Sequence, residues 1–439
     1  MSKPSNTGLK GPAIAVALIV LCFVVYQIGF APGPPAGPKP ASKSPVEPEP
    51  PSAPEPKQDG AAGPAPAAAA ALADVPVTKT WPTYHGGPEL CGYSNVSAPG
   101  KPTVLWQYIA PGAIRQPVAG DDRGVYAATT DGWIVALDLA GQERWKTQLM
   151  RAAADGGVET TERLNAPIAC FRSTVAIGSN AGIVHALDAG TGEPKWTYDI
   201  GGEVLGAVNC FVPDDASQSA LLYAIERGQG VLHCINLDTG AHVWRTDPIA
   251  RTDGSMAVAD GTVVYGSCDF ALHVYGAPDG KRGGAIALCG DCQVASGPAV
   301  AGSEIYSGSR SGHFYRADAK TGAIVWTNED CTDEIFTTPA IGNDAVVFGS
   351  EDGKIYCLDR ASGALRWAFE SGGLPTSPII AADRVLAGVD GELIVLSLET
   401  GEEVWRHEVS DGIAAPSIVN GTIVVGSEDG TVIAFGAKP

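Results

Sequence analysis

The sequence predicts an all-β chain: an eight-bladed β-propeller of four-stranded antiparallel blades, its ring closed by a strand from the N-terminal part. Three observations predict it. Short β-rich runs are punctuated by Gly, Asp and Asn. The resulting unit recurs with a period of roughly 40 residues, the range of four-stranded blades. The last copy stops before its fourth strand, while a matching orphan strand stands ahead of the first.

The unit is clearest at 337–367, TTPAIGNDAVVFGSEDGKIYCLDRASGALRW. TPAI runs into a turn at Gly342-Asn343-Asp344, and AVVFGS follows. Glu351-Asp352-Gly353 turns again, KIYCLD is the third strand and ALRW the fourth. β-rich runs bounded by turn residues are the hairpin signature. A segment this small cannot bury both faces alone, so it must stack on copies of itself. Those copies lie at 376–405, 296–326, 166–196 and 116–145. Two more are degenerate: one ends at Trp244 and carries an insert at 213–219, and the other, 256–285, has lost its Trp. The eighth starts at Ala415 and stops at Gly436. The run 102–108, preceded by Gly100, is expected to pair with it, because an open ring leaves two unpaired sheet edges. In six copies a Pro opens the first strand (Pro117, Pro167, Pro298, Pro339, Pro378, Pro416), which suits an edge strand lining the axis.

The rest of the chain divides accordingly. Residues 1–10 are polar and read as cytoplasmic. Residues 11–30 carry no charge and are long enough to span a bilayer, so they read as an uncleaved anchor rather than a cleaved signal peptide. Lysines precede this run and the next one is Lys39, which puts the N-terminus inside and the propeller in the periplasm or another extracytoplasmic space. Cys22 follows Leu21 where lipid attachment needs a small residue, and reads as a membrane-embedded Cys. Residues 31–77 are Pro/Ala-rich, a disordered spacer with a reach of up to ~140 Å. The propeller occupies 78–439. Within it, 81–99 does not match the repeat and is expected to pack on the ring or cap it, and Met150 to Leu164 is an inserted loop on the face of the Ser-Glu-Asp-Gly turns.

A net charge of −20 speaks against nucleic acid, whose binding needs a basic footprint. The acidic turns, such as 350–353 and 427–430, read as solvated turn chemistry.

The blade pattern resembles the pyrroloquinoline-quinone-like (PQQ-like) propeller repeat. Gly349-Ser350, Asp352-Gly353, Leu358-Asp359, Gly363 and Trp367 carry it, as do Gly178-Ser179, Gly182, Leu187-Asp188, Gly192 and Trp196, and Gly426-Ser427 with Asp429-Gly430. The resemblance covers about 81–436. It implies that Trp106, Trp145, Trp196, Trp244, Trp326, Trp367 and Trp405 pack between neighbouring blades. The family holds PQQ-dependent dehydrogenases, which bind the quinone and calcium on the axis, and non-enzymatic binding propellers such as the outer-membrane assembly factor BamB. The chain lacks the adjacent cysteine pair of the dehydrogenases, their long insertions and any C-x-x-C-H haem motif. Its WPTYHGGP segment is similar to the W-P-x-x-R-G-P opening of many PQQ-like proteins, with His85-Gly86 in place of Arg-Gly.

Candidate chemistry is sparse. Cys234 and Cys357 take a third-strand position held by Ala136 and Ala186, and read as small buried hydrophobes. Cys170 and Cys210 end the first strands of adjacent blades, as neutral core thiols or a disulfide. Cys268, Cys289, Cys292 and Cys331 fall on one face over adjacent blades, as structural disulfides, a Cys₄ zinc site or a redox C-x-x-C. His185, His233 and His273 share a third-strand register, but neighbouring copies ~12 Å apart cannot share a zinc ion. No catalytic set emerges, so no catalytic residue is assigned and neither PQQ nor calcium is expected as a cofactor.

The reading is a membrane-anchored, extracytoplasmic, monomeric propeller of the BamB-like, non-dehydrogenase branch, acting as a scaffold for a protein partner. The alternatives are a PQQ-dependent dehydrogenase or its degenerate relative, and a propeller that binds glycan or cell wall in its axial funnel.

Overall fold

The computed structural model describes residues 72–76, 80–151, 159–213 and 218–437. The expected cytoplasmic end, the 11–30 anchor and nearly all of the 31–77 spacer lie outside these residues. Among the described residues no helix is long and apolar enough to cross a membrane.

Eight antiparallel blades follow one another along the chain; seven are four-stranded sheets, and the sheet of the seventh blade takes Tyr93–Ser94 as a fifth strand, parallel to its inner strand. Blade 1 runs Ala119–Asp121, Gly124–Ala128, Trp133–Leu137 and Glu143–Gln148, from inner to outer strand. Blades 2 to 7 span 169–199, 209–245, 257–287, 299–328, 340–370 and 379–408. Blade 8 has three strands of its own, Ser417–Val419, Thr422–Gly426 and Thr431–Gly436. Its outer strand is Thr103–Ile109, paired from Thr103↔Gly436 to Ile109↔Thr431. The expected closure holds.

The patterning follows from stacking. Middle strands such as Ala345–Ser350 and Lys354–Asp359 are almost wholly buried, because both faces meet neighbouring blades. They therefore read as continuous apolar runs rather than alternating ones. Outer strands such as Leu365–Glu370 alternate between exposed and half-buried, since one edge faces water.

In every blade the third and outer strands slip by one residue at the same point, one of a set of eight β-bulges. The tryptophan sits beside the bulge, as in Ala136↔Trp145 and Cys357↔Trp367. The extra twist tips the indole towards the next blade. There Trp145 Nε1 donates to Ala189 O at 3.1 Å, and Trp106, Trp196, Trp244, Trp326 and Trp367 make the same bond to the next blade's outer hairpin at 2.9–3.2 Å. Each indole covers a turn glycine with positive φ; a Cβ on Gly192 would lie 2.4 Å from Trp145. Trp405 has no such hairpin ahead of it, because blade 8 borrows its outer strand. It instead packs edge-on against Phe435 and stacks on His407. Blade 4 has Gly284 opposite Val274, at the register of the indole, and Gly322 of blade 5 has nothing within 4 Å of its would-be Cβ.

The inner edges are not left bare. Residues 81–94 run along them, and their carbonyls take the N–H groups of Gly120, Cys170, Val258, Val300, Ile341, Ile380 and Ala382 at 2.6–2.9 Å. Blade 3 joins through Thr83 Oγ1 donating to Val208 O and Asn209 Nδ2 donating to Pro88 O. The segment thus touches seven blades and fills the axis. This satisfies the unpaired donors that an inner strand would otherwise expose.

Candidate functional site

The two faces of the ring differ. Residues 72–76 lie on the lower face, where Arg360 Nη2 donates to Ala73 O and Ala73 N donates to Glu304 Oε1. On the upper face, formed by the blade-to-blade connections and the turns between second and third strands, the axis opens into a funnel of about 380 Å³. Tyr84 of the axial segment is its floor, with its hydroxyl 2.7 Å from Ser377 Oγ. Burial raises the pKa of that hydroxyl.

Glycines let the wall close. A Cβ on Gly206 would lie 2.5 Å from Gly254 O, and one on Gly254 2.3 Å from Ser296 O, so blades 3, 4 and 5 meet backbone to backbone. Ser296 Oγ is buried in this wall and has no hydrogen-bond partner among the described residues. Asp253 is the one carboxylate among the described residues of the lining. Burial would raise its pKa, but hydrogen bonds from Arg227 and Arg251 outweigh that and hold it low. Calcium takes six to eight oxygen ligands, usually several carboxylates. One carboxylate already held by two guanidinium groups does not fit that ion.

The upper face carries apolar and acidic groups. Phe336 lines the funnel, with Arg310 over its ring at 5.1 Å, while Ile109 and Met150 at outer-strand ends and Leu374 in a connection are exposed elsewhere on the same face. Met150–Arg151 pairs with Thr160–Thr161, so the expected insert is a β-hairpin over its described residues. Its base is pinned by Glu162, whose Oε1 lies 3.4 Å from His185 Nε2. Beside Phe336, burial and then the charges of Asp333 and Glu334 raise the Glu351 carboxyl above its usual range.

The cysteines part company. Cys289 and Cys292, in the connection from blade 4 to blade 5, form a disulfide. Cys268 and Cys331 are free thiols, and Cys331 Sγ bonds Ser350 Oγ at 2.9 Å in blade 6. The residues that gather around the disulfide are His313, Ser311 and Tyr315 of blade 5: Cys292 Sγ lies 3.5 Å from His313 Nδ1, 2.8 Å from Ser311 Oγ and 2.9 Å from Tyr315 OH. His313 escaped the sequence reading. The signal was available, because the turn between second and third strands shares a face with the preceding connection. Cys170, Cys210, Cys234 and Cys357 are buried free thiols, and burial raises the pKa of each.

The three third-strand histidines each have their own surroundings. His185 faces Glu162, His233 Nδ1 lies 3.1 Å from Tyr198 OH, and His273 Nε2 lies 2.9 Å from Asp269 Oδ1. His85 is buried at the axis, between Leu90 O and Pro378 O, and burial pushes its pKa down to about 4.

A family model described as outer membrane protein assembly factor BamB matches residues 130–224, 228–370 and 272–438. The outer membrane protein assembly factor BamB of Shewanella oneidensis is 26% identical over 326 residues, 70% of this chain and 80% of that one. Among solved structures, BamB from Moraxella catarrhalis superposes with a TM-score of 0.62 at 20% identity, over 77% of this chain and 98% of its own. Quinohemoprotein alcohol dehydrogenase from Comamonas testosteroni does so with a TM-score of 0.65 at 14% identity, over 82% of this chain and 81% of its own. Both structures share the fold.

Proposed function

The chain belongs to the family of the outer membrane protein assembly factor BamB, and from that premise we propose that it is a protein-binding scaffold in outer-membrane protein assembly, docking its partner on the upper face. The observation that carries the reading is the asymmetry of the ring. Residues 81–94 follow the inner edges and residues 72–76 lie on the lower face, so the open funnel and the exposed apolar side chains near it are on the face opposite residues 72–76. Apolar anchors beside charged groups are what a protein interface needs. The crowded carboxylates around Phe336 select a partner surface that presents apolar side chains flanked by Lys or Arg. In this reading residues 11–30 anchor the chain, 31–77 set its reach, and the propeller works as a monomer on the far side of the membrane.

The family membership and the lining of the funnel support binding rather than redox chemistry. The adjacent cysteine pair associated with the quinone site is missing from the sequence, and Asp253 is committed to Arg227 and Arg251. A photo-crosslinking residue placed at Phe336, Leu374 or Met150 is expected to trap a component of the outer-membrane assembly machinery in cells. The same probe at Val243 or Leu365, on the outer wall, is expected to trap none. Equal yields from both sets, or crosslinks only from the wall, would overturn the docking face.

The unpartnered Ser296 Oγ favours one second reading, a funnel that takes a small polar ligand such as a glycan. A glycan array probed with wild type and with Ser296→Leu separates the two: this reading needs a sugar whose binding the substitution removes.

A further inference from the structure

We propose that Cys289, Cys292 and His313 form a binding site for a soft divalent metal of the zinc class, one that opens when the Cys289–Cys292 disulfide is reduced. The ligand atoms of the three residues all lie within 4.8 Å of one another, on the upper face at the junction of blades 4 and 5. A tetrahedral centre with Zn–S of about 2.3 Å and Zn–N of about 2.1 Å holds sulfur and nitrogen about 3.6 Å apart. Cys292 Sγ and His313 Nδ1 already stand 3.5 Å apart. The remaining adjustment is for the sulfurs to separate, which breaking their bond allows.

The surroundings suit thiolate ligands. Cys292 is fully buried, and the hydroxyls of Ser311 and Tyr315 reach its sulfur at 2.8 and 2.9 Å, placed to donate to a negative charge there. His313 stands on a fixed turn: Ser309 N donates to His313 O at 3.0 Å, and the imidazole meets the Tyr315 ring edge-on. Asp291 Oδ1 lies 2.9 Å from Cys289 Sγ and can supply the fourth ligand, or leave the place to water. Two thiolates, one imidazole and one carboxylate favour zinc over calcium or magnesium. Neither Cys268 nor Cys331 is needed.

The chemistry balances with an external dithiol as reductant. Its thiolate attacks the half-exposed Cys289 sulfur, and the Cys289–Cys292 bond breaks with Cys292 as leaving group. The second thiolate of the reductant then displaces Cys289. Two electrons pass to the protein, the reductant departs as a cyclic disulfide, and its two protons end on the Cys289 and Cys292 thiols. Binding of M²⁺ releases both protons to solvent.

Cobalt(II) is the probe, titrated into the full chain after reduction by a phosphine and removal of the phosphine under anaerobic conditions. The expected result is one equivalent bound, with a thiolate-to-cobalt charge-transfer band and the visible spectrum of a tetrahedral ion. Oxidised protein should give neither. Cys289→Ser with Cys292→Ser should abolish the band, and His313→Ala should weaken binding more than tenfold while leaving the disulfide able to form. Circular dichroism checks that each variant keeps the strand signal, and His313→Ala decides the matter should the cysteine variants fail to fold. No band in the reduced wild type, a band that survives in the double cysteine variant, or unchanged affinity in His313→Ala would each overturn the site.

Discussion

The seams between blades 1 and 2 and between blades 4 and 5 are built from the same repeat in opposite ways. At the first, Trp145 donates to Ala189 O and lies over Gly192, whose carbonyl also takes the hydroxyl of Thr147 at 2.8 Å. At the second, Gly284 replaces the indole and Gly322 faces open space. Yet blade 5 keeps its place. Its inner strand is held by Glu89 O, and its upper edge meets the disulfide-closed connection, where Ser311 and Tyr315 contact Cys292. The lesson is that the indole is one seam-former among several. Where it is missing, the contacts shift from the outer rim to the upper face, and that is where the unusual chemistry of this chain appears.

The largest effect belongs to the stitched seam. Trp145→Ala is expected to cost about 3–5 kcal/mol in guanidinium melts, the range for removing a buried indole. A cost under about 1 kcal/mol would erase the distinction between the seams. Next comes acid. Burial, and then Arg245 and His242, push the pKa of His233 down to about 4, and His233 is packed against Tyr198 across the seam between blades 2 and 3. An unfolded His titrates near 6.5. Between those values the unfolded chain takes up a proton that the folded one does not, so stability is full above about 6.5 and falls as the pH drops towards 4. Discounting for partial solvent access, the loss is about 2 kcal/mol. The same register in blade 5 holds Tyr315, so hydrogen exchange at low pH should show the seam between blades 2 and 3 opening while blade 5 stays protected. His85, also held near 4 by burial, adds to the same limb, so His233→Asn should make the limb shallower without abolishing it; a limb of unchanged slope would place the titrating group elsewhere.

For the open seam, the matching experiment is reduction of Cys289–Cys292. A loop this short yields about 2 kcal/mol or less on the chain-entropy model, so melts with and without a phosphine reductant should differ by less than Trp145→Ala does. A larger difference would make the disulfide the main clamp of that seam.

Most of the ring was legible because stacking forces a period on the sequence. Turn glycines, acidic turns and the fourth-strand Trp recur at one register, and the missing outer strand of blade 8 had one candidate, 102–108. The path of 81–94 was not legible, because its contacts to the inner strands run largely through backbone carbonyls, which any residue supplies. Of the four cysteines expected to cluster, Cys289 and Cys292 pair as a structural disulfide, one of the readings, and Cys268 and Cys331 stay apart for a geometric reason. Sharing a face does not bring side chains within a ligand radius when whole blades intervene, so Cys331 of the next connection bonds Ser350 instead. His313 shows the converse: a connection lies directly over the next blade's turn, and that rule, applied to all ligand types rather than to cysteine alone, would have found it.

The finest test of the two seams compares two glycines that differ only in what stands over them. Gly192 and Gly322 hold the same place in the outer hairpin of their blades, with φ of 74° and 72°. Alanine at either must adopt a left-handed conformation, at a cost of about 1–2 kcal/mol. At Gly322 that is the whole cost, because the new methyl meets nothing within 4 Å. At Gly192 the methyl would sit 2.4 Å from Trp145 Cε3 and 2.9 Å from Thr147 Oγ1. The indole is fixed by its bond to Ala189 O and cannot slide away without losing it. Gly192→Ala should therefore exceed Gly322→Ala by about 1 kcal/mol or more, the price of disturbing a packed ring. Because the backbone strain is common to both variants, the difference between their denaturation midpoints reports the contacts with Trp145 and Thr147. Equal midpoints would mean that the tryptophan decorates the seam rather than holding it.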